Sequence, residues 1–115
     1  MEATIDYEPI VTKLLEKSRE GRLNWEKDPL GQFACRIEGE YVFTSKTTED
    51  GYGLTMEDSE GNVIFSITAE QDVVFAEPKQ EELFNMLRDI YQLARKKALN
   101  VDEKIATAAG LLDRV

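Results

Sequence analysis

The sequence predicts an α+β fold in which an antiparallel meander of four strands, with a fifth as an alternative, is covered on one face by an N-terminal helix and two C-terminal helices. Apolar residues recur at helical spacing near both ends of the chain and alternate with period two in the middle. Short turns join the alternating segments, which is typical of a meander. The 115 residues suit a single domain spanning 1–115.

The first helix is expected over residues 6–20. Asp6 can cap it, and Gly21 can end it because glycine readily adopts positive φ. Its apolar stripe at helical spacing consists of Ile10, Val11, Leu14, Leu15 and Ser18.

Four strands are expected between residues 33 and 68, the second of them over roughly 40–47. Turns are predicted at Gly39-Glu40, at Glu49-Asp50-Gly51 and at Asp58–Asn62, where glycine and short polar residues cluster. In the first, third and fourth strands, the alternation assigns to one face Phe33, Cys35, Ile37, Tyr52, Leu54, Met56, Val63, Phe65 and Ile67.

The C-terminal third carries two helical patterns after the short apolar segment Val73-Val74-Phe75, which is either the fifth strand or a docking segment. The first helix begins near Pro78, and its stripe is Leu83, Leu87, Ile90, Ala94 and Ala98. A last helix is expected over about 102–113, with the apolar residues Ile105, Ala108, Ala109 and Leu112. One apolar sheet face needs a cover, so all three helices are expected to pack on it.

The C-terminal pattern also carries a family resemblance. The residues concerned are Leu87, Ile90-Tyr91, Leu93-Ala94-Arg95 and Ala98-Leu99-Asn100-Val101-Asp102, together with the earlier Leu23-Asn24-Trp25-Glu26. With them, the chain resembles a widespread group of short bacterial proteins that have a helix, a four-stranded meander and closing helices. Lys96 stands where that group usually has arginine. The resemblance implies a bacterial, cytoplasmic, single-domain protein and implies no activity.

The composition limits the kinds of catalytic and metal site that the chain can form and the compartment that suits it. The chain has no histidine, which removes the commonest general base and metal ligand. Its one cysteine, Cys35, cannot form an intramolecular disulfide, which favours a reducing cytoplasm. Residues 1–7 lack the basic start and apolar run of a signal peptide, and no apolar stretch approaches the roughly 18 residues of a membrane span.

The acidic residues concentrate in the middle of the chain. The net charge is −9, and residues 49–82 hold ten acids and one base, so this segment alone carries −9. Such a field repels nucleic acid and anionic lipid and attracts a basic protein. The alternative is that the charge serves only solubility and turn formation.

Three sets of residues have a possible chemical role, and each has a structural role as the alternative. Cys35 is expected in the core, with a reactive thiol as the alternative. Asp58 and Glu60 flank a glycine, but the spacing fails the EF-hand pattern and favours a simple turn. A hydrolase pair among Glu57, Glu70 and Asp72 has no distinctive spacing. We therefore expect a protein that is not an enzyme and that holds no cofactor or metal.

The leading hypothesis is a protein-interaction module, resembling immunity proteins, inhibitors or secretion chaperones in size and charge. Trp25 either packs in the core as a plug between elements, which we favour, or anchors a partner protein. A self-associating homodimer, built by an open sheet edge near Val73 or by a helix face, is the first alternative, and a carboxylate hydrolase is the second. The candidate partner-binding residues are Glu49, Asp50, Glu57, Asp58, Glu60, Glu70, Asp72, Val73, Phe75 and Trp25.

Overall fold

Two helices cover one face of a five-stranded antiparallel sheet in the computed structural model, which describes residues 6–70 and 78–115. The strands lie in chain order, each antiparallel to the next, so the predicted α+β class and the meander are confirmed. The elements are α1 (Glu8–Arg19), β1 (Glu26–Lys27), β2 (Phe33–Ile37), β3 (Tyr41–Thr47), β4 (Gly51–Asp58), β5 (Val63–Glu70), α2 (Pro78–Ala98) and α3 (Val101–Leu112).

The one strand that was not predicted is β1, which lies in a segment without the alternation that indicates a strand. Glu26 pairs with Ala34, and Lys27 pairs with Phe33. Two residues are too few to show an alternation of apolar and polar side chains, so the pattern cannot reveal such a strand. The predicted strand at 73–75 lies outside the described residues.

Helix α1 follows its predicted stripe closely. Val11, Leu14, Leu15 and Ser18 are buried. Asp6 lies two residues before the first helical residue, and its Oδ1 accepts a hydrogen bond from the backbone N–H of Glu8 at 3.2 Å. At the other end Gly21 adopts a φ of +71°, and its amide donates to a carbonyl of the last helical turn. This is the conformation that favours glycine after a helix.

The buried face of the sheet is built from cross-strand neighbours. Phe43 pairs with Cys35 on one side and with Met56 on the other, and Met56 pairs with Phe65. Directly paired residues lie on the same face of a sheet, so these side chains form one row beneath the helices. The buried residues of the sheet strands are Phe33, Cys35, Phe43, Ser45, Gly53, Leu54, Phe65 and Ala69.

Strand β5 departs from its predicted alternation at its first residue. Val63 was expected on the buried face with Phe65, but the register shifts by one residue between Met56 and Glu57. Val63 therefore pairs with Glu57 on the open face and is 58% exposed, and the bulged Ile64 is 43% exposed. A bulge adds one residue to one strand only, so the alternation of that strand cannot locate it.

Helix α2 organises the core because it contacts all five strands and α1. Leu87, Ile90 and Ala94 of its predicted stripe are almost fully buried. Aromatic rings connect the helix to the sheet: the centroids are 5.4 Å apart for Phe33 and Tyr91, 5.4 Å for Tyr91 and Tyr52, and 5.6 Å for Tyr52 and Phe84. Such tilted and edge contacts are favourable geometries for aromatic pairs.

Helix α3 does not join this layer, contrary to the sequence-based expectation. None of its residues is buried, and among the described elements it contacts α2 alone. Asn100, with φ 49° and ψ 50°, turns the chain between α2 and α3. Ile105 and Leu112, expected in the core, are 63% and 72% exposed. Helical periodicity identifies an apolar face but does not say which surface covers it.

Two buried serines provide a test of the core. Ser45 is 1% exposed, and its Oγ has no hydrogen-bond partner among the described residues. Ser18 is also buried, but its Oγ donates to the carbonyl of Leu14 at 2.8 Å and accepts from Nε1 of Trp25 at 3.1 Å. The hydroxyl of Ser45 is therefore buried without a hydrogen bond to offset its loss of hydration, whereas the hydroxyl of Ser18 both donates and accepts a hydrogen bond.

We expect Ser45→Ala to raise the free energy of unfolding by about 1 kcal/mol, because it removes an unsatisfied buried hydroxyl. Ser18→Ala should lower it by about 1–2 kcal/mol, because the indole N–H of Trp25 then loses its acceptor. Urea denaturation of both variants measures the two changes. A loss of stability in Ser45→Ala as large as that in Ser18→Ala would contradict this account.

Candidate functional site

The meander gathers acidic residues from distant parts of the sequence at one end of the sheet. Tyr41 at the start of β3 pairs with Asp58 at the end of β4, so the β2–β3 turn (38–40) and the β4–β5 turn (59–62) lie side by side. The β1–β2 and β3–β4 turns lie at the opposite end. We call the first end the acidic end, and its carboxylates belong to Glu38, Glu40, Glu57, Asp58 and Glu60.

Exposed apolar side chains lie among these carboxylates. Tyr41 is 39% exposed, Val63 58% and Ile64 43%, and they account for three of the eight exposed large apolar residues in the described part of the chain. The last two rows of paired residues at this end run through Tyr41 and through Glu57. Arg36 is the one basic residue in these two rows. Tyr41 pairs with Asp58, whereas Val63 pairs with the neighbouring Glu57, so these two apolar residues lie on opposite faces of the sheet. The acidic end thus exposes apolar side chains on both faces together with an excess of negative charge.

The predicted acidic surface of residues 49–82 is divided by the fold. Gly51 pairs with Glu70, whereas Glu57 pairs with Val63. Six steps along β4 separate these two rows, a distance of about 20 Å. Three predicted acids, Glu57, Asp58 and Glu60, lie at the acidic end, and three others, Glu49, Asp50 and Glu70, lie at the opposite end. Asp72, Val73 and Phe75 lie outside the described residues.

Two of the five carboxylates of the acidic end were not among the residues predicted from the sequence. Glu38 and Glu40 belong to the first part of the chain, where acids and bases nearly balance. The order of the strands could have identified them, because alternate turns of a meander share an end of the sheet. Charges therefore have to be counted by sheet end and not along the chain. Ile64 was also missed, since the bulge that exposes it has no signal in the strand pattern.

Trp25 belongs to the core and not to a binding surface. It is 2% exposed, and its indole N–H donates to Ser18 of α1. This placement corrects its inclusion among the candidate partner-binding residues and agrees with the favoured interpretation as a core plug. A large aromatic ring with one polar atom is well suited to this position, because Ser18 satisfies its N–H.

Asp58 uses its carboxylate to close the turn. Its Oδ1 accepts hydrogen bonds from the backbone N–H groups of Glu60 and Asn62, both at 2.9 Å, and its Oδ2 accepts one from the side-chain amide of Asn62 at 3.0 Å. Bonds from Asn62, and then those from the neighbouring backbone, hold the pKa of Asp58 below its ordinary value. Asp28 closes the β1–β2 turn in the same way, accepting from Leu30 and Gln32, each at 2.9 Å. Both aspartates thus have the turn-forming role that the sequence favoured for Asp58.

The positions of the other candidate reactive residues do not favour catalysis or metal binding. Cys35 is 2% exposed, and burial raises the pKa of its thiol to about 12, which keeps it protonated. Glu57 and Glu70 are about 20 Å apart, whereas the carboxylates of a glycoside hydrolase lie within about 10 Å. Among residues 6–70 and 78–115, no three His, Cys, Asp or Glu side chains are grouped so that they could hold a metal ion.

The lowered pKa of Asp58 predicts a pH dependence of stability. The ionised carboxylate accepts the turn bonds in the folded state, so the unfolded state binds the proton more readily. The stabilisation is therefore complete above the ordinary pKa of about 4 and is lost as the pH falls through the lower, folded-state pKa.

We expect the difference in unfolding free energy between the unaltered protein and Asp58→Asn to be largest near neutral pH and to shrink in acid. Chemical denaturation across this range measures the difference, and NMR titration of the Asp58 carboxyl locates the midpoint. A difference that stays constant with pH would show that the charge does not stabilise the turn.

Comparison with known proteins finds no match for this chain. No family model matches the chain, and neither a curated protein nor a solved structure matches it. Within the ranges 6–70 and 78–115, no helix combines the length and apolar character that are needed to cross a bilayer. The acidic end of the sheet is therefore the feature from which a function can be argued.

Proposed function

We propose that the protein is a non-catalytic interaction module that binds a basic partner protein through the acidic end of its sheet. The observation that carries this proposal is the pair of exposed apolar residues Val63 and Ile64, which lie beside Glu57 at an end of the sheet that holds five carboxylates. Protein interfaces commonly have an apolar centre and a polar rim. The carboxylates would accelerate association with a positively charged partner and select against acidic ones.

The conformation of Glu38 supports a role for its charge. The N–H of Glu40 donates to the carbonyl of Ile37, which closes a β-turn with Glu38 and Gly39 at its centre. Glu38 has a φ of 53° and Gly39 a φ of 72°, so both central residues are left-handed. Asparagine followed by glycine is the favoured sequence for such a turn, because asparagine tolerates positive φ better than glutamate. A residue that costs stability where it stands is a reason to consider function. A carboxylate needed for binding would account for glutamate at this position.

Several features support binding in preference to catalysis. The chain has no histidine, its only thiol is buried and protonated, and Glu57 and Glu70, the two described members of the candidate catalytic set, are far apart. A net charge of −9 also disfavours nucleic acid and anionic membranes as partners. The single cysteine, which cannot form an intramolecular disulfide, supports a reducing compartment, and we propose the cytoplasm. The resemblance to short bacterial proteins remains a prediction.

The proposal can be tested by neutralising the acidic end without changing its shape. Glu38→Gln/Glu40→Gln/Glu60→Gln removes three charges and leaves the turn-closing Asp58 intact. The matched control, Glu16→Gln/Glu49→Gln/Glu70→Gln, removes three charges elsewhere. Proteins captured from a lysate of the source organism are quantified by mass spectrometry for the unaltered chain and for both variants. The purified basic partner is then titrated at low and high salt.

We expect a basic protein that binds the unaltered chain and the control, and that binds the acidic-end variant about tenfold more weakly at low salt. Its affinity for the unaltered chain should fall as salt increases, because screening weakens the attraction of exposed charges. Replacing the apolar centre with Ile64→Ser should also weaken binding. Equal capture of the same proteins by all variants, or an affinity that is independent of salt, would refute the proposal.

The strain at Glu38 gives a separate prediction. Glu38→Asn should raise the free energy of unfolding by about 0.5–1 kcal/mol, because asparagine fits the left-handed position better. The same change should weaken partner binding, since it removes one carboxylate of the acidic end. Urea denaturation and the titration above measure the two effects. If Glu38→Asn were less stable than the unaltered protein, Glu38 would not be strained in its left-handed conformation.

A further inference from the structure

Helix α3 exposes a narrow apolar seam. Val101, Ile105, Ala108, Leu112 and Val115 follow one another at intervals of four, three, four and three residues. This is the spacing of the contact positions in a coiled coil. Backbone hydrogen bonds from residues 113–115 to residues 109–112 continue the helical turn past Leu112, so Val115 extends the seam.

The seam has no cover among the described residues. Ile105 is 63% exposed, Leu112 72% and Val115 105%, and Leu111 beside them is 57% exposed. Together they are four of the eight exposed large apolar side chains in the described part of the chain. Isolated exposed residues of this kind are ordinary, but a continuous row on one helix face indicates an interaction surface.

We propose that a second copy of this chain covers the seam, with the two α3 helices antiparallel about a twofold axis. In an antiparallel coiled coil the two kinds of contact position face each other. Ile105 then faces Val115 of the second copy, and Ala108 faces Leu112. In the second pair a small residue lies opposite a large one, an arrangement that lets facing side chains interdigitate. The same patch serves both copies, as a twofold interface requires.

The distribution of charge favours a second copy over the basic partner of the acidic end. On a helical projection, Asp102, Glu103, Asp113 and Arg114 lie away from the seam, and Lys104 lies at its margin. Asp102 is also paired within the chain, with Lys96 at 3.2 Å. No group of acids therefore borders the seam to attract a basic protein.

The rest of the C-terminal third is compatible with self-association. Residues 83–115 carry six bases and four acids, whereas the acid excess lies in residues 49–82. Two copies that meet through α3 bring together segments of weakly positive charge. Exposed charges separated by more than about 8 Å are largely screened at physiological salt.

The size of the seam sets the strength of the dimer. The 12 residues of α3 span about 18 Å, on a helix about 10 Å wide. Such a contact buries a few hundred Å² on each copy, less than the roughly 800 Å² per partner of a standard stable interface. The protein should therefore be monomeric when dilute and dimeric only at higher concentration.

Sedimentation velocity over a concentration series of the full chain tests this. Ile105→Asp/Leu112→Asp places two charges in the seam and should leave a monomer at every concentration. Ala106→Asp/Thr107→Asp adds the same charge to the same helix away from the seam and should still dimerise. Both variants should keep a folded body, since α3 contacts only α2 among the described elements, and circular dichroism verifies this.

Disulfide trapping tests the orientation. A mixture of Ile105→Cys and Val115→Cys proteins should form a mixed disulfide between copies. Each variant alone should not, because in the antiparallel register its two thiols lie ten residues apart, about 15 Å along the helix. The buried Cys35 should not compete.

Salt separates this proposal from the binding function of the acidic end. Higher salt should strengthen the dimer by screening the repulsion between two chains of −9, and it should weaken binding of a basic partner. A monomer at all concentrations, equal dimerisation by the seam and control variants, or disulfides in the single-variant samples would each overturn the proposed dimer. None of these results would bear on the acidic end.

Discussion

The structure depends on the burial of one sheet face beneath α2. This helix contacts all five strands, and its residues Leu87, Ile90 and Ala94 lie among the side chains that the strands direct inward. A sheet with one covered face needs strands that alternate apolar and polar residues, and antiparallel strands joined by short turns meet this need. The second helix of the layer, α1, packs beside α2 and is linked to the sheet region through Ser18 and Trp25. The turns therefore remain at the two ends of the sheet, outside the core.

This arrangement separates the residues that hold the fold together from the two surfaces proposed to bind other molecules. The buried residues form one continuous cluster, and most of the exposed large apolar residues lie at the acidic end or in α3. The two exposed regions differ in chemistry: the first lies at an end of the sheet that holds five carboxylates, and the second is an apolar row whose charged neighbours lie to the side. The first is the proposed site for a basic partner, and the second is the proposed contact between two copies of the chain. The two regions do not overlap.

Much of the fold could be predicted from the sequence, and the exceptions have physical reasons. The stripe of α1 and the alternation of β2 and β4 are local patterns that burial imposes on neighbouring residues. The two-residue strand β1 and the bulge at Ile64 depend on a partner strand, so the local pattern carries no trace of them. The position of α3 depends on Asn100, whose left-handed conformation directs the chain away from the layer. Three of the five carboxylates of the acidic end were predicted and Glu38 and Glu40 were not, since proximity in a sheet does not follow proximity along the chain.

The buried Cys35 has a practical consequence. It is the only thiol in the chain, it lies at 2% exposure on the inner face of β2, and its high pKa keeps it unreactive. A thiol reagent can reach this sulfur only when the strands and α2 part, so the rate of modification reports how often the core opens. The unaltered chain thus contains its own reporter of conformational fluctuation, and no label has to be introduced to follow it.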